Sequence, residues 1–380
     1  MDAGKALVVG GGIGGLAAAV GLRRAGWEVE VLERAPEIRE VGAGLTLWDN
    51  ALRALDRLGM GELVERLEFP EGTGGIWSWR GELLLPVSPA EVRERYGQRA
   101  AAVHRAELQA ALLDALGRDR VRTGAECTGF REDAHGVVAE LADGGSARGD
   151  VLVGADGLRS VVRAALHGAE PPVYAGYTAW RGVVEFPDTE RLRPGESWGA
   201  GTRFGRVPLS DGRAYWFAVR DAPEGERAAG GEKAELLRLF GGWHEPVREL
   251  VEATPEEAIL RGDVYDRPTL RSWGRGRATL LGDAAHPMTP NLGQGACQAL
   301  EDAAVLAQCL AGEAGVPEAL RAYEARRVPR ANAFVERSRA VGRVAQWSHP
   351  LAVGARMLLV RHLLPRLQGR QYAGIAASGL

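Results

Sequence analysis

Two glycine-rich turns almost 270 residues apart constrain this chain more than any other feature of it. The first is Gly10-x-Gly12-x-x-Gly15. It follows the apolar run Ala6-Leu7-Val8-Val9, which fits a buried parallel strand, and opens an Ala/Leu-rich helix that reaches about Ala25 before Gly26 breaks it. Such a strand–turn–helix needs its glycines for a tight turn, for close approach of a pyrophosphate and for close helix packing. Glu28 to Leu32 alternates into a second strand, and Glu33 at its end lies 18 residues after Gly15, where a carboxylate can bind ribose hydroxyls. This element predicts dinucleotide binding and leaves NAD and FAD equally open.

The second element separates them. Residues 280–287 read LLGDAAHP, followed by Asn291-Leu292-Gly293-Gln294-Gly295. The pattern predicts a buried strand ending in Asp283, then a glycine-rich turn that opens a helix. Asp283 suits sugar-like hydroxyls. The free N–H groups of the turn, with the positive helix end behind them, suit a delocalised anion. A nicotinamide ring needs no such site, whereas the N1/C2=O edge of a reduced flavin does.

The rest of the composition narrows the class. The chain has 380 residues, 46% of them hydrophobic and 26% charged, as expected for a globular protein of one large domain or two joined ones. A net charge of −3 gives no reason to expect nucleic acid or an anionic membrane as partner. Lys5 and Lys233 are the only lysines, so catalytic lysine chemistry, including that of flavin-dependent halogenases, has almost no candidates. Cys127, Cys297 and Cys309 have no metal or redox spacing and suggest a reducing compartment. No uncharged apolar run reaches the ~18 residues of a membrane span, and the N-terminus lacks the pattern of a signal peptide. The expected location is cytoplasmic.

Along the chain, residues 50–58 and 105–116 have helical spacing. Segments 121–132, 136–142 and 147–153 read as antiparallel strands, and Val151 to Ala155 as a further buried strand. From 173 to 220 the runs 177–186, 196–201, 203–208 and 214–219 are strand-like and interleaved with aromatic residues. Helices are expected over 232–241, 246–253, 293–311 and 317–340. Leu351–Leu367 is expected to be a packed terminal helix in preference to one lying on a membrane. Trp180, Trp198, Phe204, Trp216 and Phe217 could wall a pocket for an aromatic ligand, but alternation turns only half of them toward any one cavity. His286 is expected to serve the entry to the helix rather than the chemistry.

Gly154-Ala155-Asp156-Gly157-x-x-Ser160-x-x-Arg163 reads, taken alone, either as an aspartate capping a helix or as part of a nucleotide site. With the two glycine turns it resembles the pattern of single-component flavoprotein monooxygenases of the hydroxybenzoate-hydroxylase type. Residues 41–50, Tyr177-Thr178-Ala179-Trp180-Arg181-Gly182 and Val207 through Tyr215 place the resemblance in the branch of FAD-dependent urate hydroxylases and zeaxanthin-epoxidase-like proteins, over nearly the whole length.

The resemblance implies an α/β fold: a Rossmann-like FAD-binding domain of the GR2 type, with an inserted antiparallel-sheet substrate domain and C-terminal helices. The implied boundaries are 1–170 and 270–345 for the FAD-binding domain, with part of 60–100 contributing to the substrate side, 171–269 for the substrate sheet and 346–380 for the C-terminal helical segment. It implies non-covalent FAD held by Gly10, Gly12, Gly15, Glu33, Arg34, Thr46, Arg105, Cys127, Asp156, Asp283, Asn291, Leu292, Gly293, Gln294 and Gly295. NADH or NADPH docks transiently, since no second glycine fingerprint is present. O2 is the co-substrate, and a flavin C4a-hydroperoxide hydroxylates an electron-rich aromatic or heteroaromatic small molecule. Arg203 and Tyr215, twelve residues apart, match the arginine and tyrosine that face the ring in urate hydroxylases. Those enzymes carry an aspartate where this chain has Asn291, and the amide can hydrogen-bond but cannot act as a base. Epoxidation of an alkene and simple sequestration of an aromatic ligand are the alternative readings.

Overall fold

A computed structural model describes residues 3–38, 43–67, 74–209, 212–312, 315–366 and 374. Val41 and Gly42, Ser210 and Asp211, and Leu367 of the terminal segment therefore lie outside the described residues.

Five parallel strands form the central sheet, in the order Ala278–Leu280, Val151–Gly154, Ala3–Val9, Trp27–Glu33 and Val121–Thr123. Val151–Gly154 is short and wholly apolar, and Ala278–Leu280 is buried along its whole length, as strands covered on both faces must be. The helix Ile13–Arg24 buries Leu16, Ala17, Ala18, Ala19 and Leu22 against this sheet and against the helix Gly295–Leu310. Two expected antiparallel segments divide. Residues 121–123 belong to the parallel sheet, and only Cys127–Asp133 pairs antiparallel with Gly136–Leu141. Residues 147–153 break at Asp150: Ser146–Gly149 stays in the small antiparallel sheet and Val151–Gly154 crosses to the parallel one.

The second large sheet has seven strands, in the order Leu260–Asp266, Val173–Glu185, Arg213–Asp221, Thr202–Pro208, Gly195–Trp198, Gly74–Ser78 and Leu83–Val87. All neighbours pair antiparallel except Gly195–Trp198 with Gly74–Ser78, a parallel pair between segments far apart in sequence. Alternation divides its side chains. Trp180, Val184, Phe204, Ala214, Trp216 and Ala218 pack beneath the helices Glu232–Phe240 and Val247–Ala253. There Phe204 stacks on Trp216, ring centroids 5.5 Å apart and planes 14° from parallel, and Phe240 meets Phe204 edge-on. Trp180, Phe204 and Trp216 are thus core, and Trp198 is buried in a smaller core with Leu84, Leu85 and Val360, which leaves Phe217 alone of the five outside one.

The opposite face carries Tyr177, Arg181, Arg203, Tyr215 and Phe217, as the pairings Arg203 to Val219, Arg181 to Phe217 and Val183 to Tyr215 require. It meets the two-stranded sheet Gly44–Trp48 and Ala100–His104 so closely that a Cβ on Gly44 would lie 2.3 Å from Cγ of Tyr215. The helix Val316–Ala345 runs past Pro329, five residues beyond its expected end at 340, and Pro350–His362 packs on strand Leu83–Val87.

Candidate functional site

The first glycine turn is sterically fixed. Gly10 has φ of 108°, and a Cβ there would lie 2.4 Å from the carbonyl oxygen of Ala155. A Cβ on Gly15 would lie 2.0 Å from the carbonyl oxygen of Gly10. Gly12 is different: nothing stands within 4 Å of its would-be Cβ, so open space adjoins the N-terminus of the helix Ile13–Arg24. That combination of unsatisfied amides, helix dipole and free volume fits a phosphate. Glu33 holds the turn in shape, since its carboxylate accepts from the amides of Gly11 at 2.6 Å and Ala35 at 2.8 Å. Gln109 donates to the carbonyl of Gly11 at 2.9 Å, a support that no local sequence signal announces. Arg34 is exposed beside it.

Asp156 caps a helix. Its carboxylate accepts from the Ser160 hydroxyl at 2.5 Å and from the amides of Val161 and Val162, at the start of Val161–His167. Burial raises its pKa against those hydrogen bonds. Arg163, buried one turn on, donates to the carbonyls of Ala285 at 2.9 Å, Ala284 at 3.2 Å and Pro268 at 3.1 Å, and so ties this helix to the second glycine element. Cys127 turns its thiol into the core and toward the carbonyl of Gly129, which leaves only its backbone for a ligand. Thr46 sits on strand Gly44–Trp48, where its carbonyl lies 3.5 Å from Sγ of Cys297. Burial pushes the Cys297 thiol up to about 12, so it remains a protonated linker.

Asp283 lies three residues past the end of its strand, in a tight turn over Gly282–Ala284. It is exposed although Gly282 and Ala284 on either side are buried, and no described residue donates a hydrogen bond to it. Its surroundings desolvate the carboxylate and raise its pKa, opposed by the charges of His286 and Arg105. Arg105, exposed at the start of helix Arg105–Leu116, also acts on Tyr215, so one cation faces both groups. Downstream, Pro290–Leu292 makes one tight turn, Gly293 takes φ of 61°, and Gln294 caps the helix Gly295–Leu310. Gln294 is buried and accepts from Asn50 at 3.0 Å, which leaves the backbone of the turn to face outward.

Beneath this turn lies a buried ionic cluster that local sequence reasoning missed. Asp302 accepts from Nε2 of His286 at 2.6 Å, from the amide of Gly282 at 3.0 Å and from Nε of Arg327 at 2.7 Å. Arg327 also binds Glu301, which accepts from Arg330 at 2.7 Å. The side chains of His286 and Asp302 are fully buried, and the His286 ring lies tilted against Trp273, centroids 5.2 Å apart. The histidine is therefore a strut under the Asp283 turn, as its position suggested. The available signal was Glu301-Asp302 set inside an otherwise apolar helical run.

On the sheet side, Arg203 and Asn291 meet. Nη2 of Arg203 donates to Oδ1 of Asn291 at 2.6 Å, and Nε donates to Oε1 of Gln346 at 2.7 Å. Glu196 stands 3.4 Å from Nη1. Nδ2 of Asn291 has three acceptors within reach for its two hydrogens: the hydroxyl of Tyr177 at 3.0 Å, Oγ1 of Thr289 at 2.9 Å and the carbonyl of Ser338 at 3.0 Å. Tyr177, absent from the sequence-derived candidates, is buried and its pKa is raised by that burial. Tyr215 shares the face with Arg203, but their register differs by four residues, roughly 13 Å along the strand. Burial raises its pKa, while the neighbouring Arg181 lowers it through charge and a hydrogen bond. Between them Phe217 lies over Gly205, where a Cβ would come within 2.1 Å of the ring.

The residues fit FAD on three counts: open space at Gly12, an exposed and unbonded carboxylate at Asp283, and an outward-facing helix N-terminus at Gly293–Gly295. Comparison with known proteins agrees. The FAD binding domain family matches residues 4–338. Aurachin C monooxygenase/isomerase of Stigmatella aurantiaca is 47% identical over 356 residues, 93% of each chain. FAD-dependent urate hydroxylase of Klebsiella pneumoniae is 40% identical over 342 residues, 88% of each. The crystal structure of Klebsiella pneumoniae HpxO complexed with FAD and uric acid is matched with a TM-score of 0.91 at 36% identity, over 98% of this chain and 96% of that one. The chain belongs to the FAD binding domain family and is an FAD-dependent monooxygenase of the hydroxybenzoate-hydroxylase type.

Proposed function

We propose that the enzyme hydroxylates an electron-rich aromatic or heteroaromatic small molecule, with NADH or NADPH as reductant. The observation that carries this reading is the Arg203–Asn291 contact, which joins the aromatic-bearing face of the sheet to the glycine turn at 293–295. In this reading residues 1–170 and 270–345 hold FAD, the sheet of 171–269 holds the substrate, and 74–87 extends that sheet. The Gly10–Gly15 turn takes the pyrophosphate, Glu33 and Arg34 the adenosine side, and Asp283 the ribityl hydroxyls. Thr46, Arg105, Asp156 and the backbone of Cys127 line the path between. The N–H of Gly293 is taken by the Pro290 carbonyl at 3.0 Å, so the amides of Leu292, Gln294 and Gly295 would meet negative charge at the pyrimidine edge of the ring, an electrostatic site already organised before reduction.

FAD, when bound, would relay two electrons from NADH or NADPH to O2 and pass one of its oxygen atoms to the substrate, the other leaving as water. What falls to the chain is positioning, exclusion of water and control of one proton. The ring of Phe217 offers an apolar floor for an aromatic substrate, with Arg203 and Asn291 at one end and Tyr215 at the other. Tyr215 has a raised pKa and stays protonated near neutral pH, so it donates to a substrate oxygen rather than accepting from it. The test is to release and chromatograph the flavin, then to screen phenols, hydroxyquinolines and purines for stimulated NAD(P)H consumption, with product mass. A ligand that binds without stimulating consumption would leave only sequestration.

Asp283→Ala is expected to weaken FAD retention by roughly 1.5–3 kcal/mol, the worth of charge-assisted hydrogen bonds, and Glu33→Ala by a similar amount. Glu33→Ala additionally frees the amides of Gly11 and Ala35. The ionised form of Asp283 is the acceptor, so its contribution is full above its pKa and is lost as pH falls through it. Because the groups packed around this turn desolvate the carboxylate and raise that pKa, FAD dissociation steepens at a higher pH than an ordinary aspartate would give. Asp283→Asn should flatten the dependence. A wild-type FAD dissociation constant that is unchanged across mildly acidic pH would refute the assignment.

A further inference from the structure

Eight large apolar side chains are strongly exposed among the described residues, and six of them share one corner of the molecule. Leu351, Leu358, Leu359 and Leu363 lie on the terminal helix Pro350–His362 and its C-cap, and Trp79 and Leu83 on the neighbouring hairpin. Leu351 is 80% and Leu358 60% exposed, values that a helix serving only as packing would not show. The other face of the same helix is well buried. Val360 and Met357 pack on Leu84, Leu85 and Trp198, Arg356 donates to the carbonyl of Gly199 at 2.6 Å, and Arg361 binds Glu82 at the hairpin. The helix is thus held firmly with its leucines turned outward.

Charge is distributed in the same direction. After Glu336 the chain has seven arginines and no aspartate or glutamate, although the whole protein carries −3; of these Arg356 is buried and Arg339 and Arg361 are ion-paired. At this corner His362 and Arg366 are exposed among the leucines, and the guanidinium of Arg80 lies 4.8 Å from the Trp79 ring. A tryptophan with an arginine beside it, at the margin of a leucine surface, matches the boundary between acyl chains and headgroups. The helix has 13 residues, roughly 20 Å, too short for a hydrocarbon core of about 30 Å. No described helix is long and apolar enough to cross a membrane. A two-fold contact with a second copy would set the basic strip against itself.

We propose that this corner docks on an anionic phospholipid bilayer, with the terminal helix lying in the plane of the headgroups and its leucines entering the acyl boundary. The proposal is independent of the substrate reading. The test is co-sedimentation of the full-length, FAD-loaded protein with vesicles of equimolar phosphatidylcholine and phosphatidylglycerol. Binding is expected, reversed by high salt, and about tenfold or more weaker with phosphatidylcholine alone. The double variant Leu351→Glu/Leu358→Glu, whose side chains touch no core, should lose binding by a similar factor while keeping its FAD content and circular dichroism. Wild type that stays in the supernatant overturns the proposal, as does a double variant that sediments like wild type. So does a wild-type dimer, seen by analytical ultracentrifugation, that the double variant dissociates while neither protein binds vesicles.

Discussion

Asp302→Ala is expected to cost about 3–5 kcal/mol of stability, the usual penalty for removing one partner of a buried charge cluster. The carboxylate has three donors: the substitution strands Nε2 of His286 and the amide of Gly282, and takes from the Arg327 guanidinium one of its two carboxylates, leaving it Glu301 and Gln298. Arg327 and His286 have no solvent to turn to. Since Gly282 immediately precedes Asp283, FAD retention should fall together with stability. His286→Ala removes only one donor and should be milder in both measurements. Denaturant titration of the apo- and FAD-loaded proteins separates the two effects. Burial by itself would raise the Asp302 pKa, but the charges of His286 and Arg327 hold it below the ordinary aspartate range. Its stabilisation is therefore complete above the unfolded-state pKa and is lost only as pH falls through the lower folded value. The unfolding free energy of wild type should drop in strong acid more steeply than that of the alanine variant. A loss below 1 kcal/mol would mean that the cluster rearranges around the gap.

Arg203→Ala should lower kcat/KM by ~1–3 kcal/mol, roughly 5- to 150-fold, and divert a larger share of NAD(P)H oxidation to H2O2, with FAD content near wild type. The guanidinium is almost wholly buried, so its removal leaves the Asn291 and Gln346 amide oxygens unbonded and Glu196 unpaired. Arg203→Lys keeps the charge but cannot reach Gln346 and Asn291 from one planar group, and it should recover only part of the loss. Tyr215→Phe should be the smaller effect, because that hydroxyl already has Arg181 as a partner. Asn291→Asp is informative in a different way. It places a carboxylate on Arg203, yet its second oxygen then faces the Ser338 carbonyl where Nδ2 now donates. We expect the aspartate to bind Arg203 more tightly and to loosen the turn that precedes Gly293. If kinetics and coupling in Arg203→Ala match wild type, Arg203 has no part in substrate handling.

The nucleotide half of this arrangement could be read from sequence because its determinants are local. Gly15 works against Gly10 and Glu33 against Gly11 within one strand–turn–helix–strand unit, and although the atom that blocks a side chain at Gly10 belongs to Ala155, the need for glycine is visible where the strand ends and the helix begins. The strands at 202–208 and 213–221 were legible for the same reason, as one hairpin of alternating residues. What escaped depends on register between distant segments. Strand Leu260–Asp266 has too many charges to read as a strand, and it is secured only by pairing with Val173–Glu185. Gly44–Trp48 and Ala100–His104 identify each other across more than fifty residues. Tyr177 joins Arg203 only because Tyr177 pairs with Asp221 and Arg203 with Val219 on the same strand, a coincidence of two registers that no single window contains. The His286–Asp302–Arg327 contact needs three elements to meet, so charges in an apolar run flagged it without naming its partners.

Strand order has a consequence for how the chain is made. Val151–Gly154 is flanked on one side by Ala3–Val9, but its other neighbour, Ala278–Leu280, follows the whole seven-stranded sheet in sequence. During synthesis the apolar edge of Val151–Gly154 must wait for more than a hundred further residues, on the order of ten seconds at ordinary ribosomal rates. An uncovered parallel edge of this kind invites pairing with another nascent chain. Expression at lowered temperature or with added chaperone should therefore raise soluble yield more than any change to the finished surface, and N-terminal fragments ending before residue 278 should aggregate.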